Sequence, residues 1–257
     1  MQSFNPCLLV PVYNHEQAVT TTVAQIQDSQ LPIILIDDGS NRSCHETLVN
    51  LATNHPLITL LHLPVNGGKG GAIKAGLSAA KNQGFSHALQ VDADGQHAVT
   101  DIIHFIDAGR QSPAALICGY PAYDDSVPRL RFYARYLTHL WVWINSLSLM
   151  VKDSMCGFRL YPVNASLALV NREKMGNRME FESEFTVHWV WRDGQVINLQ
   201  TKVTYPADGI SHFAPWRDNA LISKMHAALF FGMLRRFPGL LRSKRIKCKQ
   251  ARRRNKA

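Results

Sequence analysis

The sequence predicts an α/β protein: a mostly parallel sheet flanked by helices, followed by a C-terminal amphipathic helix and a basic tail. Three observations predict it. Short apolar runs alternate with helical stretches through the first 120 residues. Those runs are continuous and β-branched, as strands covered on both faces are. Polar clusters follow three of them, at residues 13–16, 37–40 and 92–94. Parallel strands share a direction, so the clusters gather on one rim, where open α/β sheets bind ligands.

The elements follow in order. Cys7-Leu8-Leu9-Val10-Pro11-Val12-Tyr13 is a strand that runs into the turn-prone Asn14. A helix over 16–29 places Ala18, Val19, Val23 and Ile26 on one face. The strand Pro32-Ile33-Ile34-Leu35-Ile36 ends in Asp37-Asp38-Gly39-Ser40, and Ser43 is the expected cap of a helix reaching His55. A third strand, 58–63, precedes the loop Asn66-Gly67-Gly68-Lys69-Gly70-Gly71 and a helix over 72–83. The strand 88–91 delivers Asp92-Ala93-Asp94-Gly95-Gln96-His97, and a helix over 100–110 and a strand over 115–118 complete the series.

Beyond Gly119 the chain becomes richer in Arg, Tyr and Trp. Residues 128–151 carry a helical stripe of Leu137, Leu140, Trp141, Ile144 and Leu147, with Arg129, Arg131 and Arg135 near its start. Helices are expected over 165–172 and 179–192, an alternating strand over 196–205, and a last helix over 219–237. The expected organisation is a catalytic-type α/β domain over 1–218, an apolar helix over 219–241, and a disordered basic tail over 242–257.

Charge is unevenly spread. The net +9 comes from a tail, 235–257, that holds eleven Lys/Arg and no acid; the remainder has 17 basic and 19 acidic residues. Such a tail suits an anionic lipid surface or nucleic acid. A slightly negative body without helix-turn-helix, zinc-finger or RNP signature disfavours nucleic acid as the main partner. The five cysteines are widely spaced and form no CxxC, which argues against a zinc knuckle or a disulfide framework. With no leader-like segment and no run of 18 apolar residues, the expected setting is the cytoplasm, with the inner face of the membrane as a surface for peripheral contact.

The chemistry concentrates after strand four. Residues two apart in an extended chain point the same way, so Asp92 and Asp94 can offer both carboxylates to one hard cation such as Mg²⁺. The glycine loop has neither the Ser/Thr of a P-loop nor a GxGxxG spacing. Its glycines still allow close backbone approach, and Lys69 before a helix suits a phosphate.

Together, PVYNHE, IDDGS, GGKGGA and DADGQH resemble, in order and spacing over residues 7–120, the motifs of the family 2 glycosyltransferases. Cys156-Gly157-Phe158-Arg159 resembles the S-G-F-R of the dolichyl-phosphate mannose synthase-like branch, with Cys for Ser. The resemblance implies a GT-A (Rossmann-like) fold and inverting transfer from a nucleotide diphosphate sugar. By position, Pro11, Tyr13 and Glu16 would line the nucleoside, with Glu16 displaced by the inserted His15, and Asp38 would meet the base. Lys69 belongs to the donor loop. Asp92 would serve ribose and metal, and Asp94, with Gln96 as a third ligand, would hold Mg²⁺ or Mn²⁺ on the diphosphate.

For the acceptor, the resemblance favours a lipid phosphate, met by Arg131, Arg135 and Arg159. A phosphate oxygen is already anionic and needs no strong base. A hydroxyl acceptor would need one, with Asp153 and Glu184 as the candidates; Glu180 and Glu182 are expected at the surface or in support. His212 matches a place where the family often carries a cation.

Overall fold

A computed structural model of the chain describes residues 3–95, 99–122, 129–202 and 214–254, with backbone alone at 99, 129–134, 215 and 244–254. Among the described residues seven strands form one sheet: β1 (Pro6–Val12), β2 (Ile33–Asp38), β3 (Ile58–Leu63), β4 (His87–Gln90), β5 (Leu116–Ala122), β6 (Arg159–Pro162) and β7 (Val196–Lys202). Their order is β3-β2-β1-β4-β6-β5-β7. Pairing is parallel throughout except at β6, which runs antiparallel to both β4 and β5. The sequence reading did not contain β6: four residues after a Gly-Phe pair carry too little periodicity to announce a strand.

The helices are α1 (Glu16–Ile26), α2 (Arg42–Asn54), α3 (Lys69–Asn82), α4 (Ile102–Gln111), α5 (Arg129–Ser146), α6 (Val163–Arg172), α7 (Phe181–Trp191) and α8 (Pro215–Arg254). Strand pleating sorts the core into two layers. Cys7, Leu9, Ile34 and Ile36 point to the face that buries Ile73 and Leu77 of α3 with Leu167 of α6 and Phe181 and Phe185 of α7. Leu8, Val10, Leu35 and Ile33 point to the other, against Val19 and Val23 of α1, Leu48 of α2 and Phe105 of α4. This is the two-sided cover that continuous apolar strands require.

Several boundaries differ from the sequence reading. The cap of α2 is Asn41, whose side chain accepts from the Cys44 amide, rather than Ser43; Asn41 has the extended backbone a cap needs, while Ser43 already lies within the helix. Helix α3 starts three residues early, at Lys69, because Gly68 with φ 88° turns the chain directly into it. Helix α5 ends at Ser146, where Leu147 adopts φ 51°. Helix α8 is continuous through Pro238 to Arg254, so the backbone is helical over 242–254, where a disordered tail is expected. Among the described residues no helix is long and apolar enough to cross a membrane.

Candidate active site

Because β2, β1 and β4 are adjacent and parallel, the turns after them meet at one rim. The turn after β1 is tied to the turn after β2: the Asn14 amide donates to Ser40 Oγ (3.2 Å) and the Asn41 amide to Asn14 Oδ1 (2.8 Å). Pro11, Tyr13 and Glu16 sit half-buried along this edge. Gly39 has φ 67°, and a Cβ there would lie 2.5 Å from the Asn66 amide nitrogen, so only glycine lets the β2 turn pass under the glycine loop.

The loop itself spans the two acidic turns. Asp38, almost fully buried, accepts the Gly67 amide on Oδ1 and the Gly68 amide on Oδ2, both at 2.8 Å. Burial raises its pKa above the ordinary range, and the two amide bonds pull the other way. The next residue, Lys69, crosses to the end of β4: its Nζ lies 2.9 Å from Asp92 Oδ2 and 2.8 Å from Glu182 Oε1. Burial alone would lower the ammonium's pKa, but the two carboxylates outweigh it and hold Lys69 charged.

Behind this trio runs a buried relay. Tyr161 of β6 donates to Gln90 Oε1 (3.0 Å), and Gln90 Nε2 donates to Asp92 Oδ1 (3.1 Å) and Glu182 Oε1 (3.0 Å). Gln90 is the site residue that the sequence does not single out, and Glu182, expected at the surface or in support, takes the supporting place. Glu182 is buried at the centre of the site rather than at the surface. The signals were a lone glutamine closing an apolar strand, and acids in a helix whose residues 181–189 are all buried. A helix without a polar face must pair its charges internally.

Gly157 closes the cluster from above. A Cβ there would collide with Asp92 Oδ2 and lie 2.7 Å from Lys69 Nζ. Its neighbour Cys156 is buried, with a thiol that burial pushes up to about 12, so it is no nucleophile at neutral pH.

The other expected site residues divide. Arg159 is fully buried and donates to the Ser154, Cys156 and Glu182 carbonyls and to Thr186 Oγ1, all within 2.8 Å. It braces the loop carrying Gly157 against α7 from behind, and is not placed to meet an acceptor. Asp153, 2% exposed, takes Arg135 Nε on Oδ2 (2.7 Å) and the Met155 and Cys156 amides on Oδ1 (both 2.8 Å). Burial raises its pKa, but His139 and Arg135 outweigh that and hold it far below the usual carboxylate range. Glu184 accepts the Gly176 amide at 2.7 Å. Burial, with nearby Glu180, raises its pKa. Gln96 and His212 lie outside the described residues, as does the side chain of Arg131.

Asp92 and Glu182 set two carboxylates against the single ammonium of Lys69, and Asp94 follows at the turn after β4, an excess of the hard oxygen groups that a divalent cation takes. Asp92 receives Gln90 and Lys69, and Asp94 is half-buried at the turn that follows.

An acidic rim bridged by a glycine loop, at the ends of adjacent parallel strands, is the place where open α/β sheets take ligands. The chain belongs to glycosyl transferase family 2, whose sequence model matches residues 7–174. It is 29% identical over 202 residues to a dolichyl-phosphate beta-glucosyltransferase of Trichomonas vaginalis, a stretch covering 70% of this chain and 58% of that relative. With a dolichyl-phosphate beta-glucosyltransferase of Dictyostelium discoideum it shares 32% identity over 142 residues, 50% of this chain and 42% of the other. The matched stretches thus span about half the length of these relatives. The fold is GT-A. It superposes on glucosyl-3-phosphoglycerate synthase from Mycobacterium tuberculosis, solved with Mn²⁺, UDP-glucose and phosphoglyceric acid, at a TM-score of 0.64, with 13% identity and coverage of 90% of this chain and 79% of that one.

Proposed function

We propose that the protein transfers a sugar, with inversion, from a nucleotide diphosphate sugar to a polyprenyl phosphate, with Mg²⁺ or Mn²⁺ as cofactor. The observation that carries the acceptor class is the state of the two candidate bases. Asp153 is locked in a buried ion pair with Arg135, and Glu184 faces the Gly176 amide. A hydroxyl acceptor would need a base at the rim; a phosphate oxygen attacks as it is. The names of the two relatives, both dolichyl-phosphate glucosyltransferases, support the same class.

In this reading the nucleoside lies along Pro11, Tyr13 and Glu16, with Asp38 and the amides it fixes beneath the base. Asp92 reaches the ribose, and Asp94 with Gln96 holds the cation. The cation neutralises charge on the departing nucleoside diphosphate. Lys69, held beside Asp92 and Glu182, is the residue that a bound diphosphate would draw forward. Arg131 and Arg135 receive the acceptor phosphate, and Arg159 acts by positioning the Gly157 loop. A single displacement by the acceptor oxygen gives inversion.

A lipid acceptor also needs a surface from which to be taken. Tyr136, Leu137, Leu140 and Trp141 of α5 are exposed, as are Leu149 and Met150 after it, and Phe231, Leu234 and Phe237 on α8. Trp141 contacts His226 and Phe230 of α8, which joins the two helices into one apolar face leading to the basic segment. That pairing of apolar and cationic surface supports peripheral contact with an anionic membrane.

The test is transfer of labelled sugar from a panel of nucleotide sugars to dolichyl or undecaprenyl phosphate in detergent, with Mn²⁺ or EDTA. Product on lipid phosphate, dependent on metal, is the expected result. Transfer to hydroxyl acceptors instead, lost in Asp153→Asn or Glu184→Gln, would replace this reading with the hydroxyl one.

A further inference from the structure

We propose that Asp37, His45 and His62 form a second divalent-metal site, selective for zinc-class ions and distinct from the carboxylate site at Asp92 and Asp94. Three elements bring the side chains together: Asp37 from the end of β2, His45 from the first turns of α2 and His62 from β3. Both imidazoles aim Nδ1 at one atom, Asp37 Oδ2, from 2.7 and 2.9 Å. The three ligand atoms lie within 4.8 Å of one another. The other carboxylate oxygen accepts the Ser40 amide at 2.9 Å, which fixes the orientation of Asp37 as an outer-shell bond fixes a metal-binding carboxylate.

Exposure fits an open site. The Asp37 side chain is fully buried, whereas those of His45 and His62 are 36% and 48% exposed, so an ion can enter from solvent and keep a water as fourth ligand. The rings meet edge-on at 4.6 Å between centroids. Tetrahedral zinc bonds of about 2.1 Å place ligand atoms about 3.4 Å apart, so each imidazole need only draw back from Asp37 Oδ2 by roughly 0.5–0.7 Å to admit the ion.

Ligand chemistry separates this site from the donor site. Two imidazoles and one carboxylate favour Zn²⁺, Co²⁺, Ni²⁺ or Cu²⁺, while carboxylate and phosphate oxygens favour Mg²⁺ or Mn²⁺. An ion here would clamp β2, α2 and β3 together one residue from Asp38. It would therefore stiffen the turn under the glycine loop without touching the donor. The inference is independent of the proposed transfer reaction.

The experiment is Co²⁺ titration of the full chain in excess Mg²⁺, followed by visible absorption, with Zn²⁺ displacement to give the affinity. One equivalent of Co²⁺ with the intense d–d bands of four-coordinate geometry, displaced by Zn²⁺, is the expected result. In His45→Gln/His62→Gln the zinc affinity falls by at least the about 100-fold that losing an outer-shell partner can already cost. Far-ultraviolet circular dichroism without metal reports whether that variant is folded; if it is not, His62→Gln alone, on a half-exposed side chain, carries the same test. No d–d bands in the parent, or bands retained in the folded variant, overturn the site and leave Asp37 as a hydrogen-bond acceptor only.

Discussion

Replacing Lys69 with methionine removes a charge that balances Asp92 and Glu182 directly, while keeping the length and apolar stem of the side chain. Lys69 Nζ is 2.9 Å from one carboxylate and 2.8 Å from the other, and the three side chains are 20%, 17% and 5% exposed. Loss of one partner from a buried ion cluster costs about 3–5 kcal/mol, because the remaining charges stay buried without compensation. Here two carboxylates remain, both bonded to one Gln90 amide nitrogen. Urea unfolding of parent and Lys69→Met measures the loss, and Lys69→Met/Glu182→Gln should recover much of the stability. A loss under about 1 kcal/mol would refute the view that Lys69 is the keystone of this cluster.

Gly157→Ala drives a methyl into Asp92 Oδ2 and Lys69 Nζ; it should cost about 1–3 kcal/mol by overpacking and weaken nucleotide binding, as thermal melts and calorimetry would record. Asp38→Asn keeps the shape but can accept only one of the two glycine amides now held at 2.8 Å. Leaving the other unsatisfied costs about 1–3 kcal/mol, with faster hydrogen exchange at Gly67 or Gly68 as the local readout. His226, buried between α5 and α8, has its pKa lowered by burial from 6.5 to about 4. A histidine kept neutral by the fold stabilises above its unfolded pKa, so about 3 kcal/mol should be lost progressively from pH 6.5 to 4. Melting temperature followed against pH should fall less steeply in His226→Gln.

Most of the sheet was legible because its strands are continuous apolar runs ended by turn residues. The rim was legible for the same reason, since parallel strands bring Asn14, Asp38 and Asp92 to one edge whatever the details of packing. Strand β6 was not, because pairing with β4 and β5 is what makes 159–162 a strand. The roles of the later charged residues were less legible still. Arg159, Asp153 and Glu184 look alike in sequence to residues that meet substrate, yet their partners are mostly backbone groups and, for Asp153, Arg135 and His139, set by how α5, α7 and the Gly157 loop dock. Glu182 is the converse. Its neighbour across the sheet end, Lys69, lies 113 positions earlier in the chain, and no local pattern relates the two.

The central claim is that the turn at Asp92 and Asp94 holds a cation beneath a nucleoside diphosphate. Isothermal titration of nucleoside diphosphates into the parent and Asp94→Ala, with Mn²⁺ and with EDTA, tests it most directly. The account predicts binding of at least one diphosphate that requires Mn²⁺ and weakens by about 100-fold or more, roughly 3 kcal/mol, when Asp94 is removed. Binding of equal strength in EDTA, or undiminished in a folded Asp94→Ala, would contradict it.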